Sequence, residues 1–172
     1  LGMKGGQFHI DIQTDLEGKL SPKGLDTIEF QVSANAGQPP RPLAKVASGG
    51  ELARISLALQ VAAAGNTQIP TLIFDEVDSG IGGGIAEIVG QQLRTLGENV
   101  QVLCVTHLAQ VASQAHHHNQ VSKQSKAGQT FTQITPINES ERINEIARML
   151  GGVEITDNTL AHAQEMIDRA AG

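Results

Sequence analysis

Thr71-Leu-Ile-Phe-Asp-Glu-Val-Asp-Ser-Gly-Ile-Gly-Gly83 sets the fold of this chain. It opens on a short apolar run, the pattern of a strand buried on both faces in a parallel sheet. Asp75 and Glu76 follow at the C-terminal edge of that strand, where ligands bind in α/β folds. Two acids abutting a buried run cost desolvation unless a cation is near; the plainer alternative is a solvated strand end. Asp75 suits a direct or water-mediated hold on Mg²⁺ beside a nucleotide phosphate. Glu76, next along, can orient and deprotonate an attacking water. The glycine-rich break from Ser79 to Gly83 carries one further carboxylate upstream, Asp78, and by itself reads as an ordinary turn.

Downstream, the spacing predicts a helix over 85–96 and a second buried strand over 100–105, with residues 108–115 helical. Strand, helix, strand at this distance is a βαβ unit, which implies a parallel sheet with a right-handed crossover. The second strand ends in Thr106-His107. A histidine there can hydrogen-bond a γ-phosphate, although a lone histidine at a strand end is more often structural. Cys104 lies inside the run and reads as a buried core thiol; a single cysteine forms no internal disulfide and fits a reducing compartment.

Upstream, Ser48-Gly-Gly-Glu51 has the Ser-to-Glu spacing of a capping box. A hydroxyl, two glycines and the free N–H groups of a helix N-terminus also make an anion site. The helix that follows places Leu52, Ile55, Leu59 and Ala62 on one face, with Ala53, Leu57, Val61 and Ala64 beside it. Gly65 and Pro70 end it. Further out, Phe8-His-Ile-Asp-Ile12 and Ile28-Glu-Phe-Gln-Val32 alternate as two antiparallel strands, followed by a Pro-rich loop over 35–43. Weaker strands fit 120–123 and 131–135 around a Gly128 turn. Two helices close the chain, one marked by Ile143, Ile146, Ala147 and Leu150 and stopped at Gly151-Gly152, the other over 157–170 with Leu160, Ala163 and Ile167 inward.

At 172 residues, 40% hydrophobic and 17% charged, the chain suits one globular domain. A net charge of −6 and 2% aromatic residues exclude a broad nucleic-acid interface or a base-stacking platform. Lys123, Lys126 and Arg148 are scattered and read as solvated surface. His116-His117-His118 reads as a solvated loop rather than a metal site. No stretch has the length of a membrane span.

The order of the four elements, Ser48-Gly-Gly-Glu51, Leu72-Ile-Phe-Asp75-Glu76, the Gly-rich turn with Asp78 and Val105-Thr106-His107, resembles the C-terminal lobe of ABC/SMC-type ATPases. Their signature motif, Walker B, D-loop and switch histidine run in this sequence. Residues 43–56, 71–83, 102–108 and 147–152 look like the DNA double-strand-break repair members of that family in particular, and the resemblance covers essentially the whole chain. It implies an ATP-hydrolysing head fold and a cytoplasmic, nucleoid-associated protein, with no membrane partner. Ser48, Gly49, Gly50 and Glu51 would cap the γ-phosphate bound by a second subunit. Asp75 would serve Mg²⁺, Glu76 the attacking water and His107 the γ-phosphate, while Asp78 would lie in a D-loop crossing the dimer interface. Ala47 departs from the pattern, since many ABC proteins carry Leu before Ser-Gly-Gly.

No Gly-x-x-x-x-Gly-Lys-[Ser/Thr] occurs, so nothing here cradles the α- and β-phosphates. The opening Leu1-Gly-Met-Lys-Gly-Gly looks like mid-protein sequence. The expectation is therefore a C-terminal ATPase half-domain over 1–172, with ATP and Mg²⁺ as cofactors. Its partners would be a P-loop half joined through a coiled coil, a second copy, and DNA. The competing expectations are a binding or dimerisation module with no catalysis of its own, and another ABC-type machine such as a transporter subunit. Against the transporter, strands and a Pro-rich loop stand where such domains have a helical subdomain before the signature.

Overall fold

The computed structural model describes residues 5–16, 22, 24–33, 36–45, 49–63, 69–126, 128–151 and 154–171. Ser48, Ala64, Gly65 and Gly152 lie outside them, and so do Leu1 to Lys4.

The alternating segments near the start pair as expected. β1 (Gln7–Thr14) and β2 (Asp26–Ser33) run antiparallel, with Ile10 opposite Phe30 and Ile12 opposite Ile28. The loop expected over 35–43 is not wholly loop: β3 (Arg41–Pro42) adds to β2 as a short edge strand. Proline is tolerated there because an edge strand can spare an N–H.

α1 (Gly49–Ala63) leads to β4 (Thr71–Phe74), α2 (Gly83–Gly97) and β5 (Gln101–Cys104). β4 and β5 pair in parallel, Phe74 opposite Cys104, so the βαβ unit forms as the spacing predicts. α3 (Ala109–Ala112) is one short turn, shorter than the helix expected over 108–115. Then come the hairpin β6 (Asn119–Lys126) and β7 (Gln129–Pro136), α4 (Glu139–Gly151) and α5 (Asp157–Ala171). Gly128 takes φ 78° in the hairpin turn, a conformation that glycine adopts without penalty.

Two clusters form the core. Leu57, Phe74, Val77, Ala86, Val89, Leu93, Leu96 and Val111 join α1, β4, α2 and α3. Ala109, Ala112, Ile146, Ala147 and Ala163 join α3 to α4 and α5. α3 therefore touches both clusters, one on each side. The inner face of α1 matches the expected one only in part. Ile55 is buried as expected, but Leu57 is the most buried residue of the helix, with Ala53 and Val61 packed against the same core, whereas Leu52 and Leu59 are exposed. Leucines and isoleucine fall on more than one side of α1, so periodicity alone does not choose its inner face.

α4 begins with a reciprocal cap: Asn138 Oδ1 accepts from Glu141 N–H at 2.9 Å, and Glu141 Oε2 accepts from Asn138 N–H at 2.8 Å. Arg142 reaches back to donate to the carbonyls of Ser113 and Ala115, both at 2.7 Å, at the C-terminal end of α3. Glu145, buried, takes two hydrogen bonds from Arg148 and one from Gln120 at 2.6 Å. Arg148 is therefore paired rather than freely solvated. His118 also differs from expectation. His116 and His117 are exposed, but His118 is half-buried with Nδ1 enclosed and unpartnered.

Apolar faces remain open. Ile73, Leu103 and Val105, on the side of β4 and β5 away from the core, are 70%, 46% and 61% exposed. Phe8, Ile10, Ile12, Ile28 and Phe30 share one face of the β1–β2 pair and are exposed as well. The apolar runs of β4 and β5 predict burial on both faces. Within the described residues only one face is covered, because the pattern of a buried strand carries no information about what covers it.

Candidate functional site

The ends of two adjacent parallel strands bring the site together. Val105 N–H donates to Phe74 carbonyl oxygen at 3.0 Å, the last rung before the strands part. Asp75-Glu76 leaves from one strand and Thr106-His107 from the other. Asp75 and Glu76 are exposed. Asp75 Oδ1 accepts from Glu76 N–H at 2.9 Å, and the residue is open to solvent.

Glu76 has φ 58°, the one left-handed non-glycine among the described residues. That region is uncommon for a residue with a Cβ, costs roughly 1–2 kcal/mol and concentrates at functional sites. The turn it starts is closed by Ser79 N–H donating to Glu76 carbonyl oxygen at 3.0 Å. The strain aims the carboxylate at the start of α1: a Cβ added to Gly49 would stand 2.7 Å from Glu76 Oε2. A Cβ on Gly50 would meet the Ser79 carbonyl at 2.6 Å. Gly50 is therefore required inside this chain, because the backbone of the acid-bearing turn packs directly on the α1 N-terminus, whereas at Gly49 only the mobile end of the Glu76 side chain would have to give way.

Arg54 fastens that contact. It is buried on α1, and its Nη1 donates to the Ser79 carbonyl at 2.9 Å. Its only mark in the sequence is that it is the single cation of α1. Glu51 lies in the first turn of α1 and Ser48 lies just outside the described residues.

Asp78 is only 2% exposed, and its carboxylate turns inward to the neighbouring strand end. Oδ2 accepts from the Thr106 hydroxyl in a short hydrogen bond and from His107 N–H at 3.2 Å. The same oxygen lies 3.5 Å from His107 Nδ1, while the His107 ring is 73% exposed. The structure thus brings Glu76 against Gly49 and Asp78 against His107. Cys104, below them, has its thiol pushed up to about 12 by burial first, then by the charges of Asp78 and Asp75. Among the described residues no group of three or more His, Cys, Asp or Glu could hold a metal ion by itself.

This arrangement has the fold of an SMC head. The chain superposes on the Smc head domain with coiled coil and joint from Pyrococcus yayanosii with TM-score 0.59, at 17% identity over 99% of this chain and 27% of that one. It matches the Smc head from Pyrococcus furiosus, solved with the C-terminal domain of ScpA, with TM-score 0.57 at 20% identity over 85% of this chain and 34% of that one. No protein-family model matches. In sequence the chain is homologous to proteins named DNA repair protein RecN, the repair branch that its motifs resemble. It is 54% identical to RecN of Vibrio cholerae over 167 residues, 97% of this chain. The identity is 45% to RecN of Treponema pallidum over 175 residues. The chain spans 30% of the length of each of these relatives.

Proposed function

We propose that this chain is the signature and Walker B half of an SMC-like ATPase that works in DNA double-strand-break repair. The observation that carries it is the convergence of Asp75-Glu76, Thr106-His107 and the α1 N-terminus at the ends of β4 and β5, in a chain homologous to RecN proteins. The bare Ile73, Leu103 and Val105 face supports the half-site reading, since a parallel sheet needs cover on both faces. The P-loop half of the same protein is the proposed cover. A second copy would complete each ATP site, and DNA would be engaged by the full-length protein. The −6 charge of this segment argues against a broad DNA interface here. No helix among the described residues is long and apolar enough to cross a membrane.

The roles come from the family resemblance, and the geometry supports them as follows. Glu76 is exposed and can align the attacking water and accept its proton. His107 presents an exposed ring that can hydrogen-bond the γ-phosphate. Gly49, Gly50 and Glu51, at the α1 N-terminus, together with Ser48 before them in sequence, would close on the phosphate held by a partner subunit. Asp78 lies in the turn expected at the subunit interface. Asp75 fits Mg²⁺ as a single exposed carboxylate, the usual protein share when phosphates and waters fill the other positions. Mg²⁺ bound there would neutralise charge developing on the phosphate oxygens.

Glu76→Gln in the complete protein tests the reading. Steady-state turnover should fall by about 10²- to 10⁴-fold, the share of a general base, with ATP-bound dimers accumulating on gel filtration. Unchanged turnover would sink the assignment. This chain alone should show no ATPase above background and should gain it when mixed with the P-loop half.

A further inference from the structure

We infer that Asp78 is a positioning residue for His107, acting within its own chain to fix where the exposed imidazole points. This rests on the reading of His107 as the group facing the γ-phosphate. Three contacts from one carboxylate oxygen carry it. The Thr106 hydroxyl and the His107 N–H both donate to Asp78 Oδ2, and His107 Nδ1 lies 3.5 Å from the same atom. The side chain of Asp78 is 3% exposed and that of His107 is 73% exposed, so a buried anchor holds an outward ring by one edge.

The geometry restricts the ring. A carboxylate oxygen 3.5 Å from Nδ1 favours a proton on that nitrogen by its charge, short of a formed hydrogen bond. Nε2 is then left as the atom presented to solvent and ligand. The anchor is itself tied down. Thr106 Oγ1 accepts from Leu108 N–H at 3.0 Å, so the hydroxyl links Asp78 to the start of α3. Arg142 pins the other end of α3 through the carbonyls of Ser113 and Ala115. Asp78 also sits three residues after Asp75 in the acid-bearing turn, whose Ser79 carbonyl is held by Arg54. A displacement of that turn therefore moves the histidine as well. Partners that orient metal-bound imidazoles are typically worth about 10- to 100-fold in affinity or activity when removed, which sets the scale expected for this one.

The test is a cycle of variants in the complete protein: His107→Ala, Asp78→Asn, and the two combined, each read as kcat and KM for ATP. Asp78→Asn is expected to lower kcat about 10- to 100-fold with KM little changed. In the His107→Ala background it should remove nothing further, since residues acting through one another are non-additive. A double variant whose loss is the product of the two single losses would overturn the inference, as would an Asp78→Asn enzyme with full turnover. If His107→Ala alone leaves turnover intact, the role of His107 itself fails, a separate result from failure of the coupling. Should Asp78→Asn not fold, Thr106→Val loosens the same anchor at nearly constant volume. It should then show a smaller kcat loss that again vanishes with His107→Ala, and a multiplicative loss would overturn the inference.

Discussion

The two faces of the β4–β5 pair are built from the same kinds of residue and meet opposite fates. Leu72, Phe74 and Val102 point into the cluster around Leu57 and Val89, while Ile73, Leu103 and Val105 point to solvent. The difference shows that apolar patterning fixes how a strand must be covered, not by which chain. The packed face positions the site, because the turn carrying Glu76 and Asp78 hangs from Phe74 and Val77. The bare face, on the proposed reading, is where the P-loop half would rest.

The largest way to sharpen this contrast is to empty the packed face. Phe74→Ala should cost about 3–5 kcal/mol of folding stability, read from urea melts. Leu103→Ser, on the other face, should stay within about 0.5 kcal/mol in this chain. In the complete protein the same change should become strongly destabilising; equal effects in both contexts would break the comparison. Gly50→Ala comes next. The Ser79 carbonyl must shift to admit the methyl group, at about 1–3 kcal/mol, and turnover of the complete protein should fall with it.

A smaller effect concerns acid. Burial, then Arg142, holds His118 below its ordinary value of 6.5. The unfolded chain binds that proton more readily, so the contribution is full above pH 6.5 and is lost as the pH falls below it. Arg148 first, then Gln120, hold Glu145 below 4.5 against its burial, so its contribution is lost only at lower pH still. Stability measured against pH should decline in these two stages, and His118→Asn should flatten the first. The smallest effect is chemical: with its thiol near 12, Cys104 should resist iodoacetamide at pH 8 in the folded chain. Rapid alkylation would mean that the strand end opens.

Much of the fold was legible because its signals are local. The alternation of Phe8 to Ile12 and Ile28 to Val32, the βαβ spacing and the inward faces of α4 and α5 all follow from side-chain period. The inner face of α1 was not, since Leu52, Leu57 and Leu59 compete on an apolar helix. At the site, Asp75, Glu76 and His107 were legible as residues ending apolar strands. The inward turn of Asp78 and the hold of Arg54 on Ser79 were not, because both depend on how a turn folds back on neighbours distant in sequence. Likewise, half-buried His118 feels the charges of Arg142 and Glu145 on α4, a neighbourhood that its own stretch of sequence does not announce.

The left-handed backbone at Glu76 sets a conflict for anyone engineering this protein. Glycine there would release the conformational cost, and asparagine part of it, at the position where a carboxylate is proposed to do the chemistry. A library of variants ranked by melting temperature would therefore drift away from glutamate at residue 76. Only a screen that reads ATP turnover would keep it, so robust variants and working variants should separate first at this one residue.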